Sequence, residues 1–313
     1  MKWFFIAFIQ KFLSFLPSFA SFYIYNILQN NFGRLKSFNP KNGLISGLNI
    51  CKNIRKNGFS TSEKIFLEIG TGRVPLVPIV YYLAGAKKVI TIDLNHYLDE
   101  KLTRKCISFI LRNSTDIKQL LGPILNLNRF NLFISFIKKS SYSIDSFLDF
   151  CNIEYLAPYD ASRTNFKNSS IDFHTSYTVL EHIPLKILRN IFEEGNRILK
   201  EEGLFIHLID YSDHYAKHDK SISKFNFLKY SDTYWEKIIN NKFLYMNRLR
   251  HDDFLKFFGT MNHTLIDVQT KTDTTIIDLI NDKKIKINKK FLKKAKKTLS
   301  IREAWILSKK NKL

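Results

Sequence analysis

Residues 66–75, FLEIGTGRVP, constrain this chain more than any other segment. An apolar run beginning at Lys64 stops at Gly70, Gly72 follows, and a helical pattern runs from Pro75 to Ala84. Paired glycines at a strand-to-helix turn let the backbone bend tightly and meet a ligand with no side chain between. Residues 88–93 (KVITID) read as a second buried strand, followed by a helix over 97–112. Further strands are expected at 152–156, 171–177 and 203–209. A helix over 184–199 opens on Pro184 and lines up Leu188, Ile191, Phe192, Ile198 and Leu199. Strands separated by helices imply crossover connections and a parallel sheet, an α/β fold. Beyond these lie a helix at 253–258, an alternating strand at 263–270, a basic helix at 285–298 and a last strand at 303–308. The length of 313 residues suits one such core with additions. The expected organisation is a helical N-terminal extension over 1–60 and a main domain over 61–313, with a helical insertion at about 113–150.

The residues around the glycines narrow the ligand. A dinucleotide fingerprint needs a third glycine at position 75, which is Pro75 here. Glu68, two residues before the first glycine, suits a positively charged amino group and not a pyrophosphate. Asp93 ends the next strand 25 residues later, placed to accept both hydroxyls of a ribose. A cationic amino-acid head joined to a ribonucleoside describes S-adenosyl-L-methionine. On EIGTG (68–72), TIDLN (91–95) and SIDFHTSYTVLEHIP (170–184), in that order, the chain resembles class I S-adenosylmethionine-dependent methyltransferases over roughly residues 61–210. The resemblance implies a Rossmann-like methyltransferase fold: a mostly parallel seven-stranded sheet with helices on both faces. It implies that Glu68, Gly70 and Gly72 contact the methionine end, that Asp93 holds the ribose, and that Asp160 and Ala161 lie beside the adenine. Ser176 and Tyr177 would form the rim next to the transferred methyl. Val74 stands where many members carry a third glycine, while the acid–Gly–x–Gly core is intact.

Methyl transfer to an alcohol needs alignment and a base that removes the hydroxyl proton. Glu181, His182, His207, Asp210, Asp213, His214, His218 and Asp219 follow the fourth and fifth strands, where open α/β sheets bind ligands. His214 is the expected general base and His182 the second choice. His207, inside a strand, reads equally well as a core residue. His214 and His218 share a helical face and, with Asp210 or Glu181, could hold a divalent metal; no known ligand signature is complete, so none is assigned. Asn226, Tyr230, Trp235, Asn241, Tyr245 and Asn247 mix aromatic and polar groups as an acceptor pocket would. Arg248 and Arg250 are candidate phosphate or carboxylate clamps. SDH at 212–214 and NRLR at 247–250 resemble a bacterial methyltransferase group associated with surface glycans, implying a small-molecule or saccharide acceptor.

Charge and cysteines bear on partners and compartment. The net charge is +21, of which residues 283–313 carry +12, from 13 basic residues and one acidic. That tail admits anionic lipid, nucleic acid or a solvated lysine face. An RNA methyltransferase is the alternative reading, though no amino-directed (D/N)-P-P-Y-type segment follows the fourth strand and no RNA-binding module is recognisable. A non-catalytic S-adenosylmethionine-binding protein is a third. Cys51, Cys106 and Cys151 are odd in number and far apart, which fits a reduced, cytoplasmic setting. In residues 1–28, Lys11 and Pro17 interrupt an apolar sequence, and Gln10, Lys11, Ser14, Ser18 and Ser21 form one helical stripe with aromatics elsewhere. This reads as an amphipathic helix, docked on the domain or lying peripherally on the inner membrane surface.

Overall fold

In the computed structural model, residues 2–31, 33, 38–139 and 141–311 are described. Three helices come first: α1 (Lys2–Leu13), α2 (Ser18–Asn31) and α3 (Pro40–Lys56). Asn39 caps α3, its side chain accepting from the Lys41 amide, with Pro40 in the first turn. Strand β1 (Ile65–Ile69) leads through the glycine turn to α4 (Leu76–Leu83), then β2 (Lys88–Ile92) and α5 (Glu100–Arg112). α5 starts later than the 97–112 expectation because the Asp99 carboxylate accepts from the Leu102 amide and fixes the start there. Residues 113–150 form three helices, α6 (Ser114–Leu121), α7 (Leu127–Ile137) and α8 (Ile144–Phe150). Then come β3 (Ile153–Leu156), β4 (Ile171–Tyr177), α9 (Leu185–Ile198) and β5 (Leu199–Asp210). After β5 lie the short α10 (Asp232–Tyr234), α11 (His251–Thr260), β6 (His263–Thr272), α12 (Thr275–Asn281), α13 (Lys296–Ser300) and β7 (Ile301–Lys310).

The seven strands form one sheet in the order β3-β2-β1-β4-β5-β7-β6. Pairing from β3 across to β5 is parallel, and β7 is antiparallel to both its neighbours. This is the seven-stranded Rossmann-like arrangement that the resemblance implies. β1 and β2 are buried on both faces, as near-continuous apolar runs require. On one face Phe66, Val89 and Phe173 pack with α3, α4 and the helices of 113–150. On the other, Leu67, Ile90 and Phe205 pack with α9 and α11. β1 and β4 run parallel, but the order of strands switches sides between them, β2 and β3 lying beyond β1 and β5 beyond β4, which opens a crevice at their carboxyl ends.

Two expectations are corrected. Residues 285–298 are not one helix: Asn288 and Ala295 have extended backbone, leaving a single turn at Lys289–Phe291 and the short α13. Seven lysines in fourteen positions repel along a helix face, whereas the broken path lets Ile285, Phe291 and Leu299 pack into a third core. Its lysines are partly matched, Lys290 to Asp232 and Lys294 to Asp252 and Asp253. The N-terminal helices also dock differently from a simple amphipath. Trp3, Ala7, Gln10 and Leu13 of α1 and Ser21 of α2 face the protein, while Phe5, Phe8, Phe12, Phe15, Phe19 and Tyr23 face outward. Gln10 accepts from the Tyr215 hydroxyl at 3.1 Å, and the Trp3 amide donates to Asp219 at 2.9 Å.

Candidate active site

The crevice begins at the end of β1. Glu68 is 2% exposed, and its Oε2 accepts from the Thr91 hydroxyl at 2.7 Å. Burial pushes its pKa up to about 8, further raised by the nearby Asp93 and opposed by the Thr91 hydrogen bond. Gly70 and Gly72 both have left-handed backbone, φ +84° and +71°. A Cβ on Gly70 would stand 2.7 Å from a Val179 methyl, whereas one on Gly72 would meet nothing within 4 Å. The Gly72 amide donates to Asp93 Oδ2 at 3.0 Å, so the carboxylate at the end of β2 and the glycine turn are locked together. Desolvation raises Asp93 to about 7 against the pull of that amide and of the Thr71 and Tyr155 hydroxyls.

A cavity of about 620 Å³ opens in front of this turn. Glu68, Gly70, Thr71 and Arg73 line it from the β1 side, Tyr177, Thr178 and His182 from the β4 side, and His214, Lys217 and His218 from beyond β5. His182 lies in the single turn after β4, its Nδ1 2.6 Å from the Tyr245 carbonyl oxygen. His214 opens the turn after β5, its Nε2 3.2 Å from Asp210 and 3.9 Å from Glu181. The two imidazole rings are edge to face at 4.7 Å. Burial lowers the His182 pKa to about 3, with His214 beside it acting the same way. Asp210 also binds Lys217 at 2.9 Å and stays ionised despite its burial.

Glu68, Gly70, His182 and His214 therefore meet at one cavity, while Gly72 and Asp93, joined to each other next along the turn, are not among the residues that line it. Three expected residues are placed elsewhere. Ser176 pairs with Ile69 and lies on the sheet face opposite Glu68, its hydroxyl 2.7 Å from His207 Nδ1; Tyr177 takes the rim position. The period of two in a strand sets this difference. Asp160 is exposed, its carboxylate accepting from the Ser162 amide and hydroxyl, and Ala161 packs at the edge of the second core, so neither lines the cavity. Arg248 and Arg250 are not clamps. Arg250 is fully buried and donates to the carbonyls of Tyr211, Leu299 and Ile301; Arg248 donates to those of Phe227 and Tyr230. Trp235 is a core residue stacked near Arg248.

Sequence reasoning missed the cavity roof. Tyr25 and Gln29 of α2, with Phe38, Asn39, Asn42 and Ser46 at the start of α3, complete the lining. Local spacing carries no signal for these contacts, which bring in residues that precede the glycine turn by 24 to 47 positions.

No family model matches the chain, and no curated protein matches its sequence. Solved structures do resemble it. An S-adenosylmethionine-dependent methyltransferase from Methanosarcina mazei aligns at 17% identity with a TM-score of 0.43, covering 82% of this chain and 96% of that one. The geranyl diphosphate C-methyltransferase of Streptomyces coelicolor A3(2) aligns at 10% identity with a TM-score of 0.46, covering 83% of this chain and 77% of that one.

Proposed function

We propose that the protein is an S-adenosylmethionine-dependent methyltransferase acting on an oxygen of a small-molecule or saccharide acceptor. The observation that carries this reading is Glu68: a buried carboxylate at the mouth of β1 beside two left-handed glycines, with Asp93 behind them. A buried acid with a raised pKa, facing a cavity, is the partner a ligand cation requires. Open space at Gly72 fits a ligand drawn against the backbone, whereas Gly70 is required by the close packing of Val179.

When bound, the cofactor supplies a sulfonium methyl open to in-line displacement. The protein's own residues do the rest. Glu68 would hold the amino group, Gly70 and Gly72 would let the backbone approach, and Asp93 would accept from the ribose hydroxyls. Tyr177 and Thr178 border the reacting centre on the β4 side. His214, steadied by Asp210, with His182 against its ring, takes up the acceptor hydroxyl proton. With the cofactor held there, the deprotonated acceptor oxygen would take the methyl and sulfur would keep the electron pair as a neutral thioether. Asp160, Ala161 and Ser176 have no part in this reading.

The acceptor is read as small because α2 and the start of α3 roof the cavity. A side cavity of about 150 Å³, lined by Ile6, Ile9, Leu13 and Leu28, shares Tyr25, Gln29 and His218 with the main one and suits an apolar portion. The outward aromatics of α1 and α2 favour work at a lipid surface, where such rings sit in the interface and a net charge of +21 favours anionic headgroups. No described helix is long and apolar enough to cross a membrane.

Calorimetry with S-adenosylmethionine tests the cofactor site. Binding at one per chain is expected, weakened about 10–100-fold by Asp93→Ala, the cost of losing a charged hydrogen-bond acceptor. Equal binding by both proteins would defeat the reading. Transfer of radiolabelled methyl to saccharide fractions, compared with RNA, separates the acceptor classes; labelling of RNA alone would replace this acceptor with the nucleic-acid one.

A further inference from the structure

Glu181 poses a problem the methyl-transfer reading leaves open. It is 3% exposed, and neither of its carboxylate oxygens has a hydrogen-bond partner. A carboxyl withdrawn from water without a partner is costly, and here Asp210, a second acid, stands close by. The groups nearest it are of another kind. Glu181, His182 and His214 each offer a ligand atom, and these three atoms lie within 4.8 Å of one another.

We propose that Glu181, His182 and His214 bind one divalent first-row transition cation at the floor of the cavity. Ligand atoms about 2.0–2.2 Å from such an ion stand roughly 3–3.5 Å apart, so separations of up to 4.8 Å in the cluster close by at most roughly 1.3–1.8 Å. His214 and Glu181 are already 3.9 Å apart. The short turns that carry them, Leu180–His182 and His214–Lys217, allow that adjustment without moving the sheet. The outer contacts have the form that metal sites use. His182 Nδ1 faces the Tyr245 carbonyl at 2.6 Å, which fixes Nδ1 as the donor and leaves Nε2 with its lone pair. Asp210 Oδ2 stands 3.2 Å from His214 Nε2, the same nitrogen that lies 3.9 Å from Glu181, so cation binding there exchanges that hydrogen bond for a coordinate bond and leaves the Asp210 charge beside the ion. Two imidazoles and one carboxylate favour Zn²⁺, Mn²⁺, Fe²⁺ or Co²⁺ over Mg²⁺ and Ca²⁺, which prefer oxygen ligands throughout.

Three protein ligands leave positions open, and both histidines border the cavity. An acceptor hydroxyl entering there binds the cation, which lowers its pKa, and the proton passes to water in the open cavity. In the metal-loaded protein His214 is a ligand and takes up no proton, so this route replaces the general-base route of the metal-free site. This last role rests on the methyl-transfer reading; the binding of the cation does not.

The test is Co²⁺ titration of full-length protein stripped with EDTA, followed by visible absorption and by calorimetry. One Co²⁺ per chain is expected, with the ligand-field bands of a nitrogen-containing site. His182→Ala and Glu181→Gln should each weaken binding at least 30-fold, with folding checked by circular dichroism, and either variant alone decides if the other does not fold. Asp93→Ala should bind Co²⁺ like the wild type while losing S-adenosylmethionine, which separates the two sites. Absence of binding to the wild type at millimolar Co²⁺, or unchanged binding in the folded variants, would overturn the proposal.

Discussion

Replacing Glu68 with glutamine should make the protein more stable and unable to hold its cofactor. Folding takes the Glu68 carboxyl from an ordinary pKa of 4.5 to about 8, chiefly through desolvation. A folded-state pKa above the unfolded one means that native protein holds more protons between these values. Stability is therefore greatest below pH 4.5, is lost as pH climbs from there through about 8, and falls no further beyond. At 1.36 kcal/mol per pKa unit, holding the Glu68 carboxyl protonated in the folded state at pH 7, where the unfolded chain ionises it, costs roughly 3 kcal/mol of stability. Glutamine has the same shape, carries no titratable proton and still offers an oxygen to the Thr91 hydroxyl, 2.7 Å away in the wild type. Urea unfolding at pH 5, 6, 7 and 8 should show the wild type losing about 1 kcal/mol per unit more than the variant. Calorimetry should show S-adenosylmethionine binding reduced by two orders of magnitude or more, because the amide cannot neutralise an ammonium. Parallel stability curves for the two proteins would refute the claim that Glu68 is a desolvated acid awaiting a cation.

Other perturbations probe the same geometry. Cofactor affinity should strengthen from pH 6 to pH 7.5 as Asp93, raised to about 7, and Glu68, raised to about 8, ionise to receive the ligand's donors; a flat calorimetric profile over that range would contradict this. Gly70→Ala should cost about 2–4 kcal/mol in urea unfolding, from a left-handed backbone plus a clash with Val179, whereas Gly72→Ala should cost only about 1–2 kcal/mol for the backbone. Arg250→Met should destabilise by about 3 kcal/mol or more by orphaning three buried carbonyls, yet leave cofactor affinity unchanged in the folded protein. Substituting Phe8, Phe12, Phe15 and Phe19 with serine should abolish co-sedimentation with anionic liposomes while leaving the unfolding curve within about 1 kcal/mol, since these rings are exposed.

The sheet was legible in the sequence because each central strand is an apolar run bounded by turn residues, and the order of acid, glycines and second acid pointed to the end at which β1 meets the crevice. Glu68 and Asp93 could be placed from spacing alone, since both sit at strand ends where direction is set by the backbone. Ser176 shows where such reasoning fails: its segment was right, but one position along a strand decides the face, and the pairing with Ile69 puts it away from the cavity. Arg248 and Arg250 looked like anion clamps because nothing local reveals that three distant backbone carbonyls converge on one guanidinium. The lysine-rich segment obeyed a helical period and still broke, because its apolar residues gained more from the third core than a repelling lysine face allowed.

The N-terminal helices join these strands of argument. A helix on a water-soluble surface normally buries its apolar side, yet α1 and α2 tie Gln10 and Ser21 into the protein and leave Phe15 and Phe19 79% and 87% exposed. Six large rings turned to water forgo burial that would stabilise by roughly 1–3 kcal/mol each, so packing within the chain does not account for their orientation. The lipid docking proposed above would, and it carries a consequence for the site. α2 also supplies Tyr25 and Gln29 to the cavity roof, and the apolar side cavity runs between α1 and α2 toward the same residues. An acceptor with a lipid tail would thus enter between the helices with its polar end directed at His182 and His214, so removing residues 2–31 should lower turnover of a lipid-linked acceptor far more than it lowers S-adenosylmethionine affinity. Equal losses of both, in a variant shown to fold by circular dichroism, would mean that these helices serve the fold and not the acceptor.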